Sequence, residues 1–228
     1  MLAFFVVKRG LVCVHINILA GGPTELLPNL KEYLGENEVW VGVDRGVYSL
    51  INMNITPSIA FGDFDSVSNE EYRVIEKHVK AMKRYKPEKN ETDMELALNW
   101  AIKQKPDLIR IFGASGGRLD HFLANVQLLV KPLLEDNHLR IFLIDNQNIL
   151  SLKGPGSYKM RKRADKKYVS FVPLTLNVKG LTLEGFKYPL NDRHITIGST
   201  LCISNELISD NGTFSFSEGI LLVIRSND

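Results

Sequence analysis

Four aspartates, Asp44, Asp63, Asp65 and Asp93, stand where a folded chain could gather carboxylates. Asp63 and Asp65 are two residues apart, a spacing that places both side chains on one side of an extended segment. Carboxylates held close repel one another unless a cation lies between them, and their hard oxygens suit Mg²⁺. Each residue also has a duller use. Asp63 and Asp65 could cap turns, and Asp93 could complement a helix dipole. Four carboxylates converging on one sheet edge favour the metal site over those uses taken jointly.

A second group is rich in glycine. Gly113-Ala114-Ser115-Gly116-Gly117-Arg118 links a strand-like run to a helix expected to start near Leu119. Glycines let backbone amides approach an anion, a helix N-terminus adds partial positive charge, and the planar fork of Arg118 suits a phosphate. A plain strand–helix turn is the alternative, since the segment is neither a dinucleotide GxGxxG nor a P-loop. Asp120 either holds Arg118 or a metal-bound water, or caps the helix. His15, His78, His121, His138 and His194 have no ligand spacing and read as structural or surface residues.

The elements that must position these groups alternate. Residues 16–20, 39–43, 58–61, 108–112 and 139–144 are short apolar runs, several apolar on both faces as buried parallel strands are. Between them, Ser68-Asn69-Glu70-Glu71 and Thr92-Asp93-Met94-Glu95 match the capping box that opens a helix. The pattern predicts a doubly wound, Rossmann-like α/β domain over residues 15–146. Gly21-Gly22-Pro23, Asp44-Arg45-Gly46, Gly62-Asp63-Phe64-Asp65 and the 113–117 loop each follow a strand, so all should converge at the strands' carboxyl ends. After about residue 146, turn signals such as Gly154-Pro155-Gly156 and Asp210-Asn211-Gly212 punctuate short β-rich runs. They predict an all-β domain over 147–228, a sandwich or a barrel.

Composition bounds the function classes. The 228 residues carry a net charge of +2, too small to argue for nucleic acid or an anionic membrane as partner. The basic run at 159–167 reads as a solvated loop. Cys13 and Cys202 form no CxxC pair, which suits a reducing cytoplasm. No apolar run approaches a membrane span. Residues 1–14 are apolar first and basic afterwards, the reverse of a secretory signal, and are left as an extra strand or a loose extension.

In order and spacing, the motifs at 21–23, 42–46, 62–66, 92–93 and 113–121, with Ser204-Asn205-Glu206, resemble the thiamine pyrophosphokinase family across about residues 16–226. The resemblance implies an α/β catalytic domain, a C-terminal β-sandwich and a homodimer with its thiamine sites between subunits. It implies transfer of the pyrophosphoryl group of Mg·ATP to the thiamine hydroxyl, releasing AMP. By position, Asp44, Asp63, Asp65 and Asp93 look like the Mg²⁺ ligands, and Asp63, Asp65, Asp93, Arg118 and Asp120 like the catalytic set. Gly21, Gly22, Asp44, Arg45, Thr92, Gly113, Ser115, Gly116, Gly117 and Arg118 resemble ATP contacts, Ser204 and Asn205 thiamine contacts. Animal members place a tryptophan near the C-terminus against thiamine. Here Ile220-Leu221-Leu222-Val223 offers no aromatic, which leaves Leu222 without that role.

Two rivals are distinct. Asp63-Phe64-Asp65-Ser66-Val67 fits the D-x-D-x-[TV] motif of haloacid-dehalogenase-type phosphatases, with Asp63 as nucleophile. Against this, two βα units precede the motif, and no later lysine with paired aspartates follows. A non-catalytic nucleotide sensor is the other rival, but it has no need of so many carboxylates.

Overall fold

The computed structural model describes residues 14–65, 67–79, 81–84, 90–136 and 138–228. Residues 1–13, Cys13 among them, and Ser66 lie outside the described residues. The chain divides into two compact units.

The first unit takes the described residues up to Leu128 together with Leu139–Asn146. Its strands are β1 (His15–Leu19), β2 (Glu38–Val43), β3 (Ile59–Gly62), β4 (Met82–Arg84), β5 (Leu108–Phe112) and β6 (Arg140–Ile144). They pair in parallel in the order β6-β5-β1-β2-β3-β4. Parallel strands need covered faces, and β3 and the last four residues of β1 and β2 are buried throughout. The connecting helices are α1 (Arg45–Asn52), α2 (Asn69–His78), α3 (Asp93–Lys103) and α4 (Leu119–Gln127). Ser68 opens α2 with the expected capping box: its hydroxyl accepts from the Glu71 amide while Glu71 accepts from the Ser68 amide.

Strand order reverses at β1. The chain runs outward through β2, β3 and β4, then crosses to β5 and β6 on the other side. Such a reversal opens a crevice at the carboxyl ends of the two strands flanking it. Here those ends are Leu19 and Phe112, which are paired with each other.

Four polar residues of these strands, His15, Asn17, Glu38 and Arg110, form one cluster. Asn17, fully buried in β1, donates to Glu38 Oε2 at 2.7 Å and accepts from Arg110 at 3.2 Å. Arg110 also pairs with Glu38 at 3.0 Å, and His15 meets the other Glu38 oxygen at 2.7 Å. Burial pushes the Glu38 carboxyl up, but the bonds from His15 and Asn17 and the charge of Arg110 outweigh it and hold it below its ordinary value.

The second unit comprises Leu129–His138 and Gln147–Asp228. The 129–138 segment, expected within the α/β domain, therefore groups with the β-rich part. It carries α5 (Val130–Glu135). The strands are β7 (Asn148–Lys153), β8 (Gly156–Arg161), β9 (Tyr168–Pro173), β10 (Asn177–Glu184), β11 (Leu190–Thr196), β12 (Asn205–Glu206), β13 (Asn211–Phe216) and β14 (Leu221–Ser226). They form antiparallel pairs in the orders β12-β9-β14-β7 and β11-β10-β13-β8. One core serves both sets. Phe171 and Val223 from the first pack with Leu181, Leu183, Phe214 and Phe216 from the second, the rings of Phe171 and Phe214 lying 5.0 Å apart. Among the described residues no helix is long and apolar enough to cross a membrane.

Candidate active site

The carboxyl edge of the first sheet gathers three of the four expected aspartates. Asp44 follows β2 directly, Asp63 follows β3, and Asp93 opens α3 behind its cap Thr92, whose hydroxyl accepts from the Glu95 amide at 3.1 Å. One carboxylate oxygen from each lies within 4.8 Å of the others. Asp44 stands at the N-cap position of α1 yet makes no capping bond with its side chain. Gly62 makes room for the group. At φ 150° it carries no side chain, and a Cβ there would overlap Asp44 Oδ1.

Asp65 is not in this set. An extended segment would have put it beside Asp63, but Phe64 between them adopts φ 62° and the chain turns. Burial accounts for the turn. The Phe64 ring packs among Val47, Ala60, Ile75 and Val79 and meets Tyr72 edge-on at 5.8 Å. The Asp65 amide instead donates to Asp63 Oδ1 at 3.1 Å, fixing the Asp63 side chain, while Asp65 itself is exposed.

The 113–117 loop joins β5 to α4 and holds three glycines with positive φ: 63°, 78° and 68° at Gly113, Gly116 and Gly117. Glycine adopts these values without strain, and the result is a tight loop. Its neighbour is the loop after β1, where the Gly22 amide donates to the Gly113 carbonyl at 2.9 Å. Gly21, by contrast, has ordinary space around a would-be Cβ. At the start of α4, Arg118 forms a two-pronged pair with Asp120, at 3.1 and 2.6 Å. The Arg118 hydrogen bond and charge hold the exposed Asp120 carboxyl down at about 2. Asp120 therefore holds Arg118, one of the uses open from sequence. Arg45 pairs with Glu71 at 2.9 Å. The Ser68 amide and the Arg45 guanidinium both hold the Glu71 carboxyl below its ordinary value.

Two residues that pattern reading passed over brace this loop. Asn125 on α4 donates to the Ala114 carbonyl at 3.2 Å, and buried Asp145 accepts from the Ser115 hydroxyl at 2.6 Å. For Asp145 the available signal was a polar residue directly after an apolar strand, on the same edge as the others; Asn125, inside α4, gave none.

In the second unit, Ser204 is exposed at φ 55°, its amide donating to Ser170 Oγ at 2.9 Å. Asn205 is 2% exposed and hydrogen-bonded through both ends of its side-chain amide. Its Oδ1 accepts from the amides of Tyr188 and Glu206, and its Nδ2 donates to the Tyr188 carbonyl, all within 3.0 Å. These bonds give Asn205, expected as a thiamine contact, a structural role within the unit. Its amide ties β12 to the 186–188 segment and shapes the ground on which Ser204 stands. Asn205→Ala is expected to destabilise the β-rich unit by about 2 kcal/mol by orphaning buried partners. A lower denaturant midpoint with unchanged slope would register it.

Two family models match the chain: thiamin pyrophosphokinase, catalytic domain, over residues 30–143, and thiamin pyrophosphokinase, vitamin B1 binding domain, over residues 157–221. A thiamine pyrophosphokinase of Bacillus subtilis (strain 168) is 53% identical over 213 residues, which cover 93% of this chain and 99% of the relative. The crystal structure of thiamine pyrophosphokinase from Bacillus subtilis matches with a TM-score of 0.89 at 52% identity, covering 94% of this chain and 99% of that chain. That of thiamin pyrophosphokinase from Geobacillus thermodenitrificans matches at 0.86 and 49%, covering 94% and 98%.

Proposed function

We infer the division of labour within the site from one premise: the chain belongs to the thiamine pyrophosphokinase family and is a transferase acting on thiamine. ATP is the donor, and its triphosphate lies along the carboxyl edge of the first unit. The observation that carries this reading is the set of three carboxylates within 4.8 Å on the edge that also bears the glycine loop. Strand reversal supports a Rossmann-like description of that unit, and the shared core supports a sandwich for the second. Cytoplasmic location suits a buried, unpaired Cys202.

The donor chemistry fits Mg²⁺. Asp44, Asp63 and Asp93 offer hard oxygens in one place, and Gly62 leaves Asp44 the room to do so. Bound there, the ion would neutralise phosphate oxygens and polarise the phosphorus under attack.

The chain's own groups do the positioning that phosphoryl-type transfer mainly requires. Amides of the 113–117 loop and the N-terminus of α4 receive phosphate oxygens. Arg118, oriented by Asp120, meets the charge that develops in transit. The thiamine hydroxyl oxygen attacks the β-phosphorus, and its proton passes to an aspartate or to water. The bond from the β-phosphorus to the bridging oxygen breaks, and AMP leaves with that oxygen. Thiamine sits against Ser204 of the second unit, in a homodimer whose sites combine parts of two copies. The phosphatase alternative would have Asp63 form a covalent phosphoenzyme and needs the second aspartate of the motif, Asp65, in the site, whereas Asp65 is exposed and outside the three-carboxylate set.

Mass spectrometry of products from ATP, Mg²⁺ and thiamine tests the reading. AMP and thiamine diphosphate should form in equal amounts. ADP with thiamine monophosphate would reject pyrophosphoryl transfer, and inorganic phosphate released without thiamine would favour a phosphatase.

A further inference from the structure

We propose that Asp145 and Asn146 are positioning residues that hold the two phosphate-facing loops in register for ATP. The proposal rests on the reading that the 113–117 loop receives phosphate. Asp145 follows β6 at the carboxyl edge and is 7% exposed. A carboxyl buried to that degree is costly unless bonded. Its Oδ2 accepts from Ser115 Oγ at 2.6 Å, the short distance of a hydroxyl on a carboxylate. Ser115 is itself 8% exposed, so its hydroxyl is spent inward. What Ser115 offers a nucleotide is its backbone, fixed by that anchor in the middle of a loop whose glycines at 113, 116 and 117 impose little stiffness of their own.

Asn146 repeats the device on the neighbouring loop. Its amide donates to the Leu26 carbonyl at 2.8 Å and its side chain to the Glu25 carbonyl at 3.0 Å. Those carbonyls belong to the single helical turn Thr24–Leu26 that follows Gly21-Gly22-Pro23. The two loops also touch directly. Gly22 bonds to Gly113, and the Leu26 side chain occupies the space a Cβ on Gly116 would need. Two consecutive residues thus brace both loops from behind, without lying among the carboxylates.

The test compares Ser115→Ala, Asp145→Ala, Asp145→Asn and Asn146→Ala, with Gly117→Val as a direct lesion of the loop. Steady-state constants for both substrates are read beside the Kd of α,β-methylene-ATP, which reports binding without turnover. Ser115→Ala and Asp145→Ala should each raise the ATP KM and the analogue Kd about tenfold, with the thiamine KM within about twofold. Asn146→Ala should move the same two constants. The Ser115→Ala/Asp145→Ala double variant should be no worse than either single change, because both remove one contact. Asp145→Asn keeps an acceptor oxygen and should stay within about threefold of the parent. If Asp145→Ala does not fold, Ser115→Ala and Asp145→Asn decide the matter. Unchanged ATP constants in these variants, while Gly117→Val raises them, would overturn the positioning role alone. ATP and thiamine constants worsening together, with no rescue by asparagine, would reduce Asp145 to a purely structural residue and overturn it too. If Gly117→Val is also silent, the loop does not receive phosphate, and both readings fall.

Discussion

Asp63→Asn should abolish turnover while leaving the metal-free protein at least as stable as its parent. Three carboxylates within 4.8 Å repel one another when no cation is present. At the half-buried positions they occupy, removing one charge should relieve about 1 kcal/mol after screening. The amide is isosteric, and its oxygen still accepts from the Asp65 backbone, so the turn around Phe64 is kept. Catalysis loses a charged oxygen ligand at the phosphate. A deficit of about 4 kcal/mol in transition-state stabilisation is roughly a thousandfold in rate. Mg²⁺ should raise the Tm of the parent by binding the native state alone, and should raise that of Asp63→Asn far less. Asp65→Asn makes the informative comparison. Its carboxyl is exposed and outside the three, so its loss should bring no gain in metal-free stability and should cost turnover less than that of Asp63. Activity of Asp63→Asn within tenfold of the parent at saturating Mg²⁺ would remove Asp63 from the metal site.

Sequence reading reached the edge of the sheet but not the details of side-chain aim. Apolar runs and caps placed β1, β2, β3, β5 and β6 within a residue or so, because strands buried on both faces leave little choice of residue. It missed β4, where Met82-Lys83-Arg84 is short and two-thirds basic, and only pairing with β3 makes it a strand. It did not foresee Asn17 and Arg110 inside the sheet. Polar residues in strand interiors become legible only when their partner, here Glu38 on another strand, is known. Asp63 and Asp65 were paired by a rule for extended chain that a buried phenylalanine overrides. Asn205 entered as a thiamine contact through the family resemblance of its motif, and its bonds to the Tyr188 backbone were not legible there. In each case the identity of a residue was informative, but its role depended on contacts distant in sequence.

Co-expression of Asp63→Asn with Ser204→Arg should restore activity that neither variant has alone. Every member of the carboxylate set lies before residue 94 in the first unit, whereas Ser204 belongs to the second. In a two-fold dimer whose sites combine parts from both copies, the two lesions strike different halves of a site. Ser204→Arg is the better second lesion because Ser204 is exposed and already at positive φ, whereas altering Asn205 would strip buried hydrogen bonds and confuse misfolding with lost binding. Its bulk and positive charge oppose a thiazolium cation at short range. In a mixed dimer one site collects both lesions and the other collects none. Random assortment makes about half the dimers mixed, so the pool should recover about a quarter of parental activity. Mixed dimers purified through two different affinity tags should reach about half. Size-exclusion chromatography and circular dichroism of each homodimer must first show it folded and dimeric. With that established, mixed dimers as inactive as their parents would place each complete site within a single chain.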